Sequence, residues 1–193
     1  MAKESSPTAL LVIDVQTALT DGEYGDPRPF NRDDMLANIQ KLLTNARDAG
    51  AKVIYIQHRE DQNPAMSPGH PGFEVEKSIA PQAGETALQK TVGDSFSNPD
   101  LAPTLRALGV SNVAVCGMQS DMCVQVTTRG AIANGFDVTL ASDAHATYDT
   151  DEMTAPQIIT HINQTLGSLE GPQSRVTPVL TAHIAFAAAG VIG

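Results

Sequence analysis

Two side chains that can carry nucleophilic chemistry lie where predicted strands end. Asp14 comes directly after the apolar run 9–13, and Cys123 follows the apolar run 113–116 and begins a predicted helix. Ligands of open parallel sheets bind beyond the carboxyl ends of the strands, so both positions favour a functional site. The free N–H groups and the dipole at the start of a helix also favour a thiolate. A reactive cysteine beside a carboxylate is one interpretation; the alternatives are an Asp14 that caps a turn and a Cys123 that fills the core.

The elements that must position these side chains follow a regular alternation. Short apolar runs, rich in β-branched residues, predict strands at 9–13, 53–56, 113–116 and 138–141. Amphipathic segments of helical period predict helices at 35–49, 101–108, 123–134 and 155–166. Glycines that act as C-caps follow three of these helices, at Gly50, Gly109 and Gly135. This alternation predicts an α/β fold with a mainly parallel sheet.

One long segment interrupts the alternation. Residues 61–84 contain four prolines, three glycines and no clear period. Loops of this length inside a compact domain are often lids or binding loops. No internal repeat or low-complexity linker divides the chain, so residues 1–193 are interpreted as one domain. The small and apolar tail 182–193 is expected either in the core or against a partner subunit.

The composition excludes several classes of protein. The 193 residues hold 12 Lys and Arg against 22 Asp and Glu, a formal net charge of −10, without the basic cluster that nucleic-acid binding needs. No apolar run approaches the roughly 18 residues of a membrane span, and the first residues lack the pattern of a secretory signal. The two cysteines, Cys123 and an expected core residue Cys116, form neither a disulfide framework nor a zinc knuckle. We expect a cytoplasmic protein with no nucleic-acid or membrane partner.

Four sequence motifs resemble the isochorismatase-like cysteine hydrolases of the nicotinamidase/isochorismatase superfamily. They are LVIDVQ at 11–16, KTVGDSF at 90–96, CGMQSDMCV at 116–124 and GFDVTLASDA at 135–144. Each motif alone is weak, but all four stand in the order and spacing of the family, and the resemblance covers about residues 8–166. It implies a three-layer α/β/α, Rossmann-like fold with a six-stranded parallel sheet.

The resemblance also implies a catalytic triad of Asp14, Lys90 and Cys123. It places the oxyanion hole at the backbone N–H groups of Gln119 and Cys123, with a cis peptide bond between Met118 and Gln119. Without the motif, Lys90 is interpreted as a solvated surface lysine, because its sequence neighbours do not indicate burial. The implied chemistry is attack of a thiolate on a carbonyl, followed by hydrolysis of a thioester.

The sequence departs from the family pattern at the metal site. Nicotinamidases of this family bind a metal through Asp-x-His after the second strand, whereas this chain has Ile56, Gln57 and His58 there. The carboxylate ligand is missing, so we expect the metal-independent branch, with no cofactor. His58 and Gln57 are instead predicted to line the substrate pocket together with Phe96, although Phe96 could equally belong to the core.

The favoured function is that of a cysteine amidohydrolase, which cleaves a small carboxamide or related C–N bond. The alternatives are vinyl-ether hydrolysis of the isochorismatase type and ligand binding without catalysis on the same fold. A nucleotide-binding site is excluded, because the turn after the first strand lacks the glycine fingerprint that pyrophosphate requires. The expected partners are a small-molecule substrate and further copies of the chain in a homo-oligomer. His145 and His161 receive no role.

Overall fold

The sheet of the computed structural model has six parallel strands in the order β3-β2-β1-β4-β5-β6. The structure describes residues 8–189. The strands are β1 (Ala9–Ile13), β2 (Lys52–His58), β3 (Thr86–Lys90), β4 (Asn112–Met118), β5 (Asp137–Ala146) and β6 (Val176–Val179). The six-stranded parallel sheet that the family resemblance implies is confirmed.

Helices cover both faces of the sheet and give the three layers. They are α1 (Thr17–Thr20), α2 (Arg32–Ala49), α3 (Leu101–Ala107), α4 (Gln125–Ala133) and α5 (Ala155–Gly167). Buried residues of α2 pack on one face, and those of α3, α4 and α5 pack on the other. β1 lies in the middle of the sheet and is wholly buried, with Leu11 and Ile13 in one of these cores and Leu10 and Val12 in the other.

The two edge strands, β3 and β6, were absent from the sequence prediction. β3 (Thr86–Lys90) is mostly exposed and lacks an apolar run, and β6 (Val176–Val179) is short and contains Pro178. A proline is tolerated at an edge because one side of the strand needs no donor. Edge strands bury little, so hydrophobic pattern alone does not detect them.

The predicted start of the helix at Cys123 needs correction. Residues Ser120–Val124 form a π-helical turn, and α4 begins only at Gln125. Cys123 therefore lies inside this turn, and the simple interpretation of a thiol at the first turn of an α-helix is wrong.

Segment 61–84 is packed against the rest of the chain rather than loose. It contains three 3-10 turns, Pro64–Met66, Pro71–Phe73 and Lys77–Ile79. Met66, Phe73 and Ile79 are buried. The segment therefore has a fixed place beside the sheet, from which it contacts the residues that follow β1 and β2.

The described part of the tail packs on the core of its own chain. Ile184 is buried beside α2, and Phe186 packs against the same core. The backbone N–H of Ala189 donates to the carbonyl of Gly50 at 3.4 Å. The last four residues of the tail, 190–193, lie outside the described residues. Among the described helices, none combines the length and the apolar character that crossing a membrane requires.

Candidate active site

Three side chains meet at the carboxyl edge of the sheet. Asp14 follows β1, Lys90 is the last residue of β3, and Cys123 lies in the π-helical turn after β4. Lys90 Nζ lies 2.7 Å from Asp14 Oδ2 and 3.3 Å from Cys123 Sγ. The structure thus brings together the three residues that the family resemblance named, although they lie at or after the ends of three different strands.

The backbone around Asp14 is shaped for this meeting. Asp14 has a φ of 50°, in the left-handed region that few non-glycine residues adopt. Its N–H donates to the carbonyl of Ile56 at 2.9 Å, which ties the turn to β2. On the other side, Gly117 of β4 has a φ of 120°, and a Cβ there would lie 2.1 Å from the carbonyl oxygen of Ile13. Only glycine therefore lets β4 approach the end of β1 so closely.

The Lys90 ammonium is surrounded by acceptors. Besides Asp14 and Cys123, it lies 3.2 Å from His58 Nδ1, and His58 is its direct neighbour on β2 in the strand register. The side chain of Lys90 is 0% exposed and that of Asp14 is 1% exposed. An ammonium has three protons and here has three acceptors, so the buried charge is both paired and hydrogen-bonded.

Burial decides the protonation of the cluster at rest. It raises the pKa of Asp14, while the charge of Lys90 opposes the rise. Burial and the Asp14 carboxylate raise the pKa of the Cys123 thiol to about 12, although the charge of Lys90 opposes this rise as well. The expectation that the start of a helix holds a thiolate is thus wrong for the resting site. Burial and Lys90 lower the pKa of His58, which favours a neutral ring that accepts from the ammonium.

The donor set does not fit a metal ion. Asp14, His58 and Cys123 each offer one ligand atom, and these atoms lie within 4.8 Å of one another. The ammonium of Lys90, however, is within hydrogen-bonding distance of all three. The positive charge of Lys90 would repel a cation at this point, and the lysine itself supplies a positive charge to these three side chains.

The chain between β4 and α4 presents backbone donors beside the thiol. The peptide bond between Met118 and Gln119 is cis. The carbonyl of Gln119 accepts from the N–H groups of Met122 and Val124, both at 3.1 Å, which closes the turn around Cys123. Within residues 8–189, no acceptor takes the N–H of Gln119. This N–H is therefore available to a ligand.

The predicted pocket residues have different surroundings. His58 contacts Lys90, whereas Gln57 is buried and donates from Nε2 to the carbonyl of Phe73 at 3.0 Å. The ring of Phe96 packs on Phe136, with ring centroids 5.7 Å apart, and against the core. Among the described residues, the side chain of Gln57 forms no hydrogen bond with Asp14, Lys90 or Cys123. Their role in a pocket stays a prediction.

Gln16 is a site residue that sequence reasoning missed. It is fully buried, and its Nε2 donates to the carbonyls of His58 at 3.1 Å and Phe73 at 3.0 Å. Its Oε1 accepts from the backbone N–H of His58 at 2.7 Å. This side chain fixes the end of β2 and the segment 61–84 relative to Asp14. The sequence shows only a polar residue two positions after Asp14, and its burial is visible in the structure alone.

Comparisons with known proteins identify the family of this chain. An isochorismatase-domain family model matches residues 8–167. A streptothricin hydrolase of Streptomyces noursei is 38% identical in an alignment of 157 residues, with 77% of this chain covered. The ureidoacrylate amidohydrolase RutB of Stutzerimonas stutzeri is 30% identical over 179 residues, with 75% of this chain and 72% of that protein covered.

A solved structure gives the same result for the fold. A cysteine hydrolase from Pseudomonas syringae pv. phaseolicola superposes with a TM-score of 0.81 at 27% sequence identity, and the match covers 95% of this chain and 96% of that one. The chain spans 61% of the length of the streptothricin hydrolase, so it corresponds to part of that relative. The family model and the relatives confirm the resemblance carried by the four motifs: this chain belongs to the isochorismatase family.

Proposed function

We propose that this chain is a cysteine hydrolase that cleaves a C–N bond of a small carboxamide through a thioester on Cys123. The observation that carries the proposal is the buried contact of one ammonium with both a carboxylate and a thiol. Lys90 Nζ lies 2.7 Å from Asp14 Oδ2 and 3.3 Å from Cys123 Sγ. A base, a nucleophile and a fixed positive charge within one hydrogen-bonded cluster are the parts that thiol catalysis needs.

Asp14 acts as the general base. Since the pKa of the Cys123 thiol is raised to about 12, the thiol is protonated at rest and needs an acceptor during attack. Asp14 Oδ1 receives no hydrogen bond from a backbone N–H or a hydroxyl among the described residues, so it is available for that proton. Burial raises the pKa of Asp14, which makes it a stronger base than an exposed aspartate. Lys90 stabilises the charge that develops on sulfur.

The reaction then proceeds in two balanced steps. Attack of Cys123 sulfur on the amide carbon forms a C–S bond and places negative charge on the carbonyl oxygen, which the N–H groups of Gln119 and Cys123 stabilise. The C–N bond breaks, and the amine leaves with the proton that Asp14 took from the thiol. Water then gives a proton to Asp14 and attacks the thioester, and that proton returns to sulfur. The products are an amine and a carboxylic acid.

The relatives favour an amide over a vinyl ether as the bond that is cleaved. One is named a ureidoacrylate amidohydrolase and another a streptothricin hydrolase. A protein that only binds a ligand has no need to bury a lysine, an aspartate and a thiol together, since buried charges are stable only when their geometry is satisfied. We also propose that the reaction needs no metal, because Lys90 lies among the three candidate ligand atoms.

Acylation by p-nitrophenyl acetate tests the proposal even while the natural substrate is unidentified. We expect a burst of p-nitrophenolate equal to the enzyme concentration, with the acetyl group on the Cys123 peptide in mass spectrometry. Cys123→Ala abolishes the burst, and the matched variant Cys116→Ala retains it, because Cys116 is a buried strand residue. A burst that survives Cys123→Ala contradicts the proposal.

A substrate screen completes the test. Ureidoacrylate, streptothricin and simple primary amides are incubated with the enzyme, and the products are identified by mass spectrometry and by ammonia release. We expect at least one amide to be cleaved at its C–N bond, and Cys123→Ala to abolish that cleavage. Turnover of a vinyl ether with no amide accepted would instead support the alternative reaction.

A further inference from the structure

A buried chain of polar side chains lies directly behind the turn that carries Cys123. Ser120 Oγ lies 2.8 Å from His145 Nδ1, and His145 Nε2 lies 3.0 Å from Asn163 Oδ1. Ser120 is 0% exposed and His145 is 3% exposed. The proposed reaction uses none of these side chains, and Ser120 is too deeply buried to meet a substrate. We refer to Ser120, His145 and Asn163 as the serine–histidine relay.

The hydrogen bonds of the relay run in one direction. Asn163 Nδ2 donates to the carbonyl of Ser142 at 2.9 Å, so the amide oxygen of Asn163 must be the atom that faces His145. An oxygen there requires a proton on His145 Nε2, which leaves Nδ1 as an acceptor. The hydroxyl of Ser120 therefore donates to His145. Every buried polar atom along this path has a partner of the right kind.

The relay connects β5 and α5 to the turn after β4. Ser120 is the first residue of that turn, and in the sequence it lies between Gln119 and Cys123, whose N–H groups are the proposed donors to the oxyanion. A second tie lies one residue further along the turn, where Thr147 Oγ1 donates to Asp121 Oδ1 at 2.6 Å. The turn is thus held from the end of β5 at two successive points.

We propose that the serine–histidine relay positions the backbone from Gln119 to Cys123, so that the N–H groups of these two residues meet the oxyanion during acylation. This inference rests on the proposed function. Ser120 and His145 are positioning residues, because they act through the backbone of the turn. Burial lowers the pKa of His145, against the opposing effects of Asn163 and the Asp143 charge. A neutral ring keeps Nδ1 free to accept, and a ring protonated at both nitrogens would lose the bond from Ser120.

Two reactions of the same thiol separate positioning from general stability. Acylation by p-nitrophenyl acetate develops an oxyanion, whereas alkylation by iodoacetamide does not. For Ser120→Ala we expect the acylation rate to fall by about tenfold or more, which is below the full loss of one oxyanion donor. The alkylation rate of Cys123 should stay within about twofold of wild type. Ser174→Ala is the matched control, since Ser174 is also buried and its hydroxyl donates to the carbonyl of Ile132, away from the site.

Non-additivity and a spectroscopic measurement complete the test. If the side chains act as one relay, Ser120→Ala combined with His145→Ala lowers acylation no more than the larger single effect. Nitrogen-15 NMR of the wild-type protein at pH 8 should show His145 as a neutral ring with its proton on Nε2. This readout needs no variant and remains valid if Ser120→Ala fails to fold.

The outcomes discriminate between the relay and the proposed function. Equal losses of acylation and alkylation in Ser120→Ala, or no loss at all, overturn the relay, as does a His145 proton on Nδ1. A wild-type enzyme that p-nitrophenyl acetate does not acylate at Cys123 overturns the proposed function, and the relay's role with it. A normal wild-type burst with an unaffected Ser120→Ala variant leaves the proposed function intact and rejects the relay alone.

Discussion

Replacement of Lys90 by methionine removes the positive charge from the centre of the site. Methionine has a similar length and suits a buried position, so the change deletes the charge with little loss of volume. Two partners then lose their cation, Asp14 at 2.7 Å and Cys123 at 3.3 Å. The Asp14 carboxylate becomes a buried charge without a counter-ion, which should raise its pKa further and protonate it.

The size of the effect follows from the distance to sulfur. With an effective dielectric constant of about 20, a full charge at 3.3 Å is stabilised by about 5 kcal/mol. If sulfur carries about half a charge in the transition state, the loss is about 2.5 kcal/mol, or nearly 10²-fold in rate. Loss of Asp14 as a base adds to this. We therefore expect Lys90→Met to lower acylation by at least about 10²-fold.

Stopped-flow acylation with p-nitrophenyl acetate measures this change, and thermal unfolding separates it from misfolding. Lys52→Met is the matched control, since Lys52 is exposed at the start of β2. The double variant Lys90→Met/Asp14→Asn should unfold at a higher temperature than Lys90→Met, because it no longer buries a lone carboxyl group. A Lys90→Met enzyme that is folded and acylated within about threefold of wild type would refute the electrostatic role of the lysine.

Four further predictions concern reactivity, the base, metal dependence and assembly. Iodoacetamide should alkylate Cys123 and spare Cys116 in peptide mapping, and equal labelling of the two cysteines would reject this selectivity. The rate of Cys123 alkylation should rise about tenfold per pH unit from pH 7 to 9, because the thiol pKa of about 12 lies above that range. Asp14→Asn should lower hydrolysis by at least about 10²-fold, and unchanged turnover would exclude Asp14 as the base. Dialysis against a chelator should change neither activity nor melting temperature, whereas activity lost with one bound metal per chain would contradict the role given to Lys90. Light scattering at micromolar concentration should give a multiple of the 20.3 kDa chain mass, and a monomer mass would contradict the predicted homo-oligomer.

The fold was largely accessible from the sequence because its central strands are continuous apolar runs. β1, β2, β4 and β5 are buried on both faces, and this burial produces the pattern that predicts them. The edge strands β3 and β6 bury little and left no such pattern. The order of the strands also has no local signature, because it depends on how the connections cross the sheet.

The candidate site could be predicted only in part from the sequence, because only residues beside the buried central strands follow a clear apolar pattern. Asp14 and Cys123 follow central strands, so position alone made them candidates, whereas Lys90 ends an edge strand and was found only through the family motif. The supporting side chains left even less signal. Gln16 and His145 are buried polar residues, and a sequence does not distinguish them from surface residues. Their roles depend on partners 42 and 25 positions away in the chain.

The place of Lys90 on an edge strand links the proposed catalysis to the least protected part of the sheet. β3 pairs with β2 alone, and Lys90 is the one residue of β3 that is buried. Opening an edge strand costs less free energy than unfolding a whole domain, and such local opening occurs while the rest of the protein remains native. Each opening of β3 would withdraw the ammonium and leave Asp14 and Cys123 in place on the central strands. We therefore expect the proposed activity to be lost at the temperature at which β3 opens, as measured by hydrogen exchange, and not at the global melting temperature.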